Sequence, residues 1–254
     1  MNKKETEKDI QTKQDIEYRF PYHYIPEYKK NFFQNFTWGW SINYVTAIEF
    51  ILEEIKELDQ NIQSIYDLGC GDGRITKELH EEFNNKEVIG IDYSERAINL
   101  AKAMSPAVDY KRLDITEAKN MKKVDALTLI EVLEHIPLKS CENFVNALSG
   151  LINTGGFLFL TVPHKNVPVS YKHFQHFDLE TLKKYFEGDF TFEKVCYIQK
   201  SPVHKKLVSK IINNNFYVIK SKTINNAYHR YYKNHCFHAK NNNCERIYLR
   251  LKKK

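Results

Sequence analysis

Short apolar runs alternate with amphipathic stretches along most of the chain. Runs rich in β-branched and aromatic residues predict strands at Ser64–Leu68, Val88–Ile91, Val108–Leu113, Val124–Ile130, Phe157–Val162 and Phe190–Ile198. Between them, apolar residues at helical spacing predict helices at Ile75–Phe83, Glu95–Met104, Ser140–Leu151 and Leu179–Phe186. Because strands and helices alternate and the strands are apolar on both faces, the pattern predicts an α/β fold, a doubly wound and mostly parallel sheet.

Two further segments flank this core. Residues 18–44 hold 11 aromatic residues, and from Ser41 apolar residues recur at a spacing of three to four, which predicts a helix with Ser41 as its N-cap. The expected organisation is a disordered arm at 1–17, an aromatic cap with the first helix at 18–60, and the α/β core at 61–198. A basic helical insertion at 199–243 precedes a final strand and basic tail at 244–254.

Charge is distributed unevenly over the 254 residues. The net charge is +6, but residues 198–254 contain 14 Lys and Arg residues against one acid, Glu245, a formal charge of +13. The preceding residues are therefore acidic overall. A nucleic acid, an anionic membrane surface or a small phosphorylated substrate would each suit such a basic segment, and a solvated surface without a partner is the plain alternative.

Cysteine content and hydropathy exclude several other classes of protein. The five cysteines form no CxxC pair, which argues against a disulfide scaffold and a thiolate zinc site. The first ten residues contain no apolar signal region, and no apolar run approaches the ~20 residues that span a bilayer. We therefore expect a cytoplasmic protein without a transmembrane segment.

A glycine-rich turn follows the first predicted strand. The segment YDLGCGDG places Gly69, Gly71 and Gly73 at alternate positions between a strand and a helix, where backbone can approach a ligand closely. Asp92 ends the second strand and Asp114 follows the third. Because carboxyl ends of parallel strands share one edge, we expect these acids and the turn to line one crevice.

Together, DLGCGDG, VIGIDYS, DALTLIEVLEHI and GGFLFLTVP resemble class I S-adenosylmethionine-dependent methyltransferases. The resemblance implies a seven-stranded, Rossmann-like sheet whose last strand is antiparallel. It implies that the glycines wrap the methionine part of the cofactor, that Asp92 holds its ribose, and that Asp114 lies by the adenine, with Leu113 or Ile115 against the ring. The implied S-adenosylmethionine contacts are Asp67, Gly69, Cys70, Gly71, Gly73, Asp92, Tyr93, Asp114, Ile115 and Glu131. A nicotinamide- or flavin-binding domain is the alternative, and the tighter glycine spacing counts against it.

The segment Glu131-Val-Leu-Glu134-His135 has the pattern E-x-x-E-H. If it turns helical, the three polar side chains share one face and could bind a divalent ion such as Mg²⁺. The pattern resembles metal-dependent ubiquinone-biosynthesis O-methyltransferases and small-RNA 2′-O-methyltransferases, which implies a metal site of Glu131, Glu134, His135 and His176. The RNA enzymes have a second histidine where this chain has Ile136. We therefore expect a metal-free enzyme, in which Glu131 contacts the cofactor.

Three histidines lie in the predicted loop after the fifth strand. Methyl transfer to a hydroxyl needs a base at the acceptor or a metal that lowers its pKa, and imidazole suits the first role. We favour His173 and His176 over His164, with Glu131 as the third catalytic candidate.

These features predict a methyltransferase that acts on a hydroxyl oxygen. The basic insertion favours a small anionic substrate, such as a nucleotide-linked sugar or a phosphate-bearing precursor of a surface polysaccharide. An RNA ribose methyltransferase is the alternative that E-x-x-E-H and the basic segment suggest, with nucleic acid as its partner. A non-catalytic, cofactor-binding regulator is the third possibility.

Overall fold

A seven-stranded sheet forms the centre of the molecule. The computed structural model describes residues 12–13, 16–18, 21–24, 26–27, 33–34, 41–117, 121–212 and 221–254. The strands of the sheet are β1 (Ser64–Leu68), β2 (Glu87–Asp92), β3 (Asp109–Arg112), β4 (Val124–Ile130), β5 (Ile152–Pro163), β6 (Phe190–Ile198) and β7 (Arg246–Lys253). Two short strands, Pro26–Glu27 and Phe33–Gln34, form a separate antiparallel pair.

The strand order in the sheet is β3-β2-β1-β4-β5-β7-β6. Strands β1 to β5 pair in parallel, whereas β7 runs antiparallel to both β5 and β6. The predicted fold class, a doubly wound and mostly parallel sheet with a reversed last strand, is confirmed. Because β7 is reversed, its first residue lies at the same edge as the carboxyl ends of the parallel strands.

Helices cover both faces of the sheet. They are α1 (Ser41–Lys56), α2 (Arg74–Glu82), α3 (Glu95–Met104), α4 (Cys141–Gly150), α5 (Leu179–Phe186), α6 (Val203–Ile212) and α7 (Lys222–Tyr232). Side chains of α4 and α5 pack in one apolar core, and those of α1, α2 and α7 pack in the core on the opposite face. The cap residues Ser94, Asp178 and Ser221 accept hydrogen bonds from the first turns of α3, α5 and α7. No helix among the described residues combines the length and the apolar character needed to cross a membrane.

One strand begins earlier than the sequence pattern predicts. β5 starts at Ile152 rather than at Phe157, so the pair Gly155-Gly156 lies inside the strand instead of separating it from α4. The pairing of β4 with β5 shifts register between Val124 and Ala126, and Gly155 has a φ of 80°. The glycine pair therefore accommodates an irregularity in the pairing of β4 with β5, which apolar periodicity alone does not reveal.

The N-terminal segment is described only in part. Of the arm expected to be disordered, residues 12, 13, 16 and 17 are helical, and Lys172 forms an ion pair with Glu17 at 2.6 Å. Several aromatic residues of the predicted cap lie outside the described residues, namely Phe20, Tyr28, Phe32, Phe36, Trp38 and Trp40. The predicted basic insertion contains α6 and α7, and its residues 213–220 lie outside the described part of the chain.

Candidate active site

A cavity of about 650 Å³ opens at the edge where the parallel strands end. Its wall contains residues that follow β1, β2, β3 and β4, together with Arg246 at the start of β7 and residues of the N-terminal segment. The order of the strands divides the lining residues into two groups. The ends of β1, β2 and β3 form what we call the cofactor half, and residues after β4 and β5, with Arg246, form the acceptor half.

At the glycine turn, main-chain atoms without side chains line the cofactor half of the cavity. Gly69 and Gly71 line the cavity and have φ values of 75° and 56°, a conformation that favours glycine. A Cβ on Gly69 would lie 2.3 Å from a methyl carbon of Val132, and a Cβ on Gly71 would lie 2.5 Å from the Tyr18 hydroxyl oxygen. No side chain fits at either position, so only backbone can form this part of the wall.

Asp92 supplies a buried carboxylate beside the turn. Its Oδ2 accepts a hydrogen bond from the Gly71 N–H at 2.9 Å, and its Oδ1 accepts one from the Ser94 N–H at 2.8 Å. Each carboxylate oxygen can accept more than one hydrogen bond, so capacity remains for a ligand hydroxyl. The rest of this wall matches the expected set: Cys70, Tyr93, Leu113, Asp114 and Ile115 all line the cavity.

Two of the expected cofactor contacts also have structural roles. Asp67 lines the cavity, and Thr76 and Thr128 hydroxyls donate to its two carboxylate oxygens at 2.6 and 2.8 Å, while burial raises its pKa. It therefore ties β1 to α2 and β4. Gly73 does not line the cavity, and a Cβ there would lie 2.6 Å from the Tyr110 hydroxyl oxygen. Its φ of 81° and this close packing place it at the start of α2.

The N-terminal segment closes over the glycine turn. Tyr18, Tyr22, His23 and Tyr44 of the aromatic segment line the cavity. The His23 N–H donates to Asp72 Oδ2 at 3.1 Å, and its Nδ1 lies 2.9 Å from Asp72 Oδ1. Arg74 Nη1 donates to the His23 carbonyl at 3.1 Å. Asp72 of the glycine turn and Arg74 directly after it thus hold this segment in place. The sequence predicted an aromatic cap but not these polar contacts.

Glu131 departs from the expected helical geometry. It has a φ of 56°, and the following helical turn covers only Leu133–His135, so Glu131 does not share a helix face with Glu134 and His135. Its carboxylate accepts hydrogen bonds from Thr161 Oγ1 at 3.1 Å and from Arg246 Nε at 2.8 Å. Glu131 lines the cavity as expected, but it belongs to an ion pair and not to a group of potential metal ligands.

Glu134, His135 and His173 come together in the acceptor half. One potential ligand atom from each lies within 4.8 Å of the other two. The Glu134 side chain is buried, and among the described residues neither of its carboxylate oxygens has a hydrogen-bond partner. Burial, followed by the charge of Glu131, raises its pKa well above the usual range. Of the four residues predicted as metal ligands, Glu134 and His135 belong to this cluster, and the described residue His173 is its third member.

Hydrogen bonds to carbonyl groups determine which histidine nitrogens carry protons. His135 Nδ1 lies 3.1 Å from the Lys172 carbonyl oxygen and His176 Nδ1 lies 2.9 Å from the Val167 carbonyl oxygen, so both nitrogens must donate. His176 Nε2 then accepts from His173 Nδ1, 2.9 Å away. The Nε2 atoms of His135 and His173 therefore keep their lone pairs. Burial lowers the pKa of His135 to about 4 and that of His173 to about 3, so both rings are neutral at neutral pH.

The other two loop histidines, His164 and His176, do not line the cavity. His176 is buried and does not line the cavity, so its expected role as base or metal ligand is not supported by its position. His164 does not line it either. Its Nε2 lies 3.0 Å from Asn241 Oδ1, and its Nδ1 accepts from the Asn166 N–H at 2.9 Å.

Residues that sequence reasoning did not identify complete the acceptor half. They are Asn143, Phe144, Thr161, Lys172, Gln199 and Arg246. Arg246 begins β7, 115 positions after its partner Glu131, and only the sheet order brings the two together. Apart from Thr161, which belongs to the segment GGFLFLTVP, none of these residues lies in a motif that the sequence analysis identified.

Comparison with known proteins agrees with this geometry. A family model described as a methyltransferase domain matches residues 65–156, which include the glycine turn, Asp92 and the E-x-x-E-H segment. Residues 65–156 are therefore similar to a methyltransferase domain. Over 127 residues the chain is 34% identical to a ubiquinone biosynthesis O-methyltransferase of Dechloromonas aromatica, a match that covers 46% of this chain and 53% of the relative. A relative of the same description from Leptothrix cholodnii is 28% identical over 126 residues, 47% of this chain and 51% of its own. The chain thus spans about half the length of these relatives.

Solved structures of low sequence identity share the fold of this methyltransferase domain. Magnesium protoporphyrin IX methyltransferase from Synechocystis, solved with bound S-adenosylmethionine, aligns over 100% of both chains with a TM-score of 0.60 and 14% identity. The N-methyltransferase NodS from Bradyrhizobium japonicum, solved with S-adenosylhomocysteine, aligns over 82% of this chain and 87% of its own with a TM-score of 0.57 and 13% identity.

Proposed function

We propose that the protein is an enzyme that transfers the methyl group of S-adenosylmethionine to a hydroxyl oxygen of a small acceptor. The observation that carries this proposal is the continuity of one cavity from the glycine turn and Asp92 to Glu134, His135 and His173. A donor and an acceptor bound in the two halves would be held close together. The methyltransferase-domain match and the O-methyltransferase relatives support the same reaction.

The residues of the cofactor half fit S-adenosylmethionine. The backbone of Gly69 to Gly71 offers close approach, and the Asp92 carboxylate can accept hydrogen bonds from ribose hydroxyls. Apolar Ile115 and the Tyr93 ring line the wall beside Asp114, where an adenine ring would find flat and apolar partners. When bound, the cofactor supplies the electrophilic methyl group. The protein supplies alignment of the acceptor oxygen and exclusion of water.

The acceptor half also fits a divalent cation. A buried carboxylate without a hydrogen-bond partner is costly unless it is protonated or paired with positive charge, and Glu134 is such a group. The lone pairs of His135 Nε2 and His173 Nε2 supply two further ligands, and the Lys172 carbonyl and His176 hold the two rings in place. A cation there would lower the pKa of an acceptor hydroxyl. The structure therefore supports a cation more strongly than the metal-free enzyme expected from the sequence, in which His173 would be the base.

The lining of the acceptor half favours an uncharged aromatic alcohol over an anionic acceptor. Its two cations, Lys172 and Arg246, are paired with Glu17 and Glu131. Aromatic side chains of Tyr22, Tyr44 and Phe144 line the same cavity. The O-methyltransferase relatives support this choice, whereas among the described lining residues both Lys172 and Arg246, the groups that could bind a phosphate, already have acidic partners.

The test measures S-adenosylhomocysteine formation by the purified protein with catechols as acceptors and with nucleotide sugars as the comparison. We expect turnover with the catechols, its loss on treatment with a chelator, and recovery with Mg²⁺ or Mn²⁺. Glu134→Gln should bind S-adenosylhomocysteine normally and fail to recover. Turnover unaffected by chelator would support His173 as the base and contradict the cation. Turnover only with nucleotide sugars would contradict the aromatic acceptor.

A further inference from the structure

Helix α6 carries a row of apolar side chains that are exposed to solvent. Val203, Leu207 and Ile211 are 83%, 63% and 57% exposed, and their spacing of four residues places them on one face of the helix. On the opposite face Val208 packs against the apolar core and Lys205 is buried. The helix is therefore anchored by one side and presents an aliphatic surface on the other. Ile224 at the start of α7 is also exposed, at 51%.

Exposed lysines accompany this apolar row. Lys206 and Lys210 lie on the solvent side of α6, and the helix contains no acidic residue. Within the part of the chain that the structure describes, neither lysine forms an ion pair. Three basic residues of β7 differ in this respect, since Arg246, Arg250 and Lys253 pair with Glu131, Glu54 and Asp189. Part of the positive charge of β7 is thus neutralised, whereas the two exposed lysines of α6 have no acidic partner among the described residues.

We propose that the outer face of α6 docks on an anionic membrane surface. An amphipathic helix that combines aliphatic side chains with lysines can insert its apolar row at the headgroup boundary while its lysines contact anionic headgroups. Single-stranded nucleic acid is a poorer match, because such sites stack bases on aromatic rings and the exposed apolar residues of α6 are aliphatic. A second copy of the chain is also a poorer match, because pairing two such faces would bring lysines together. The docking does not depend on the reaction proposed above.

The experiment is sedimentation of the full-length protein with vesicles of phosphatidylcholine alone or mixed with phosphatidylglycerol. We expect binding to the anionic vesicles only, and weaker binding in high salt. The double variants Val203→Ser/Leu207→Ser and Lys206→Glu/Lys210→Glu should each bind roughly tenfold more weakly or worse. The matched control Lys183→Glu/Lys184→Glu changes two exposed lysines of α5 and should bind like the unaltered protein. Since all these positions are exposed, the fold should persist, and circular dichroism checks that it does.

Three results would overturn the proposal. The first is equal binding of all variants, or no binding to anionic vesicles. The second is retention of a short RNA in a gel-shift assay that Lys206→Glu/Lys210→Glu abolishes while vesicles are ignored, which would assign the surface to nucleic acid. The third is self-association in analytical ultracentrifugation that Val203→Ser/Leu207→Ser abolishes, which would assign it to a second copy. Absence of vesicle binding by the unaltered protein, with intact methyl transfer, would contradict only the docking, not the proposed function.

Discussion

The two halves of the cavity are built in different ways. In the cofactor half, the glycine turn and residues at three successive strand ends, among them Asp92, form the wall, and the relevant residues lie within about 50 positions of one another, from Gly69 to Ile115. In the acceptor half, side chains from several separate segments must meet, including Glu134, His173 and Arg246. The shape of a short backbone turn depends little on the rest of the fold. The relative positions of several side chains, in contrast, depend on every loop that carries one of them. The two halves should therefore respond differently to substitution.

The largest effect is expected in the acceptor half. His173→Ala removes the imidazole that faces Glu134 and should lower kcat by roughly 10²–10⁴-fold, whether it acts as base or as cation ligand. Binding of S-adenosylhomocysteine, measured by calorimetry, should not change. His164→Ala is the matched control, since His164 belongs to the same loop but does not line the cavity. Equal losses of kcat in both variants would mean that the loop, and not the His173 ring, carries the effect.

A smaller effect, confined to the other half, is expected for Asp92→Ala. The substitution removes a buried acceptor beside Gly71 and should weaken S-adenosylhomocysteine binding by about 1–3 kcal/mol. Calorimetry measures this change directly. The control Asp109→Ala removes an exposed carboxylate at the opposite end of the neighbouring strand β3 and should leave the affinity unaltered. If Asp92→Ala bound the cofactor product as tightly as the unaltered protein, the assignment of the cofactor half would be wrong.

The smallest effect is expected for substitution of Asp178, whose hydrogen bonds hold the end of the loop that carries the histidines. Asp178 caps α5, accepting from the Thr181 N–H at 2.8 Å, and pairs with Lys165 at 2.7 Å. Asp178→Ala should lower the free energy of unfolding by about 1 kcal/mol. These hydrogen bonds hold the pKa of the folded carboxyl below its usual value. Its contribution is therefore present above the unfolded pKa of about 3.9 and is lost as the pH falls below it.

Urea unfolding at several pH values measures this contribution. The difference in stability between the unaltered protein and Asp178→Ala should shrink between about pH 4 and the lowest accessible pH. Ser221→Ala is the control, because Ser221 caps α7 with a hydroxyl that does not titrate in this range. A pH-dependent difference of the same size in Ser221→Ala would show that the dependence does not come from Asp178.

The fold and the cofactor half were largely predictable from the sequence, and the acceptor half was not. Apolar periodicity predicted α3, α5 and β6 with their observed bounds, because these elements bury regular faces. The structural contacts of Asp67 and Gly73 were not predictable, since nothing local reveals that the Thr128 and Tyr110 side chains from other strands contact them. His173 could not be distinguished from His176 because a loop has no periodicity. The position of Arg246 required the sheet order.

The hydrogen bonds that hold the N-terminal segment over the glycine turn have a consequence for the catalytic cycle. Tyr18 stands over Gly71, and the backbone of His23 is held by Asp72 and Arg74, beside the turn that the cofactor must reach. Opening this side of the cavity breaks several hydrogen bonds, and the ion pair of Glu17 with Lys172 ties the same segment to the acceptor half. Departure of the spent cofactor, more than the chemical step, should then limit steady-state turnover, and S-adenosylhomocysteine should be a strong product inhibitor.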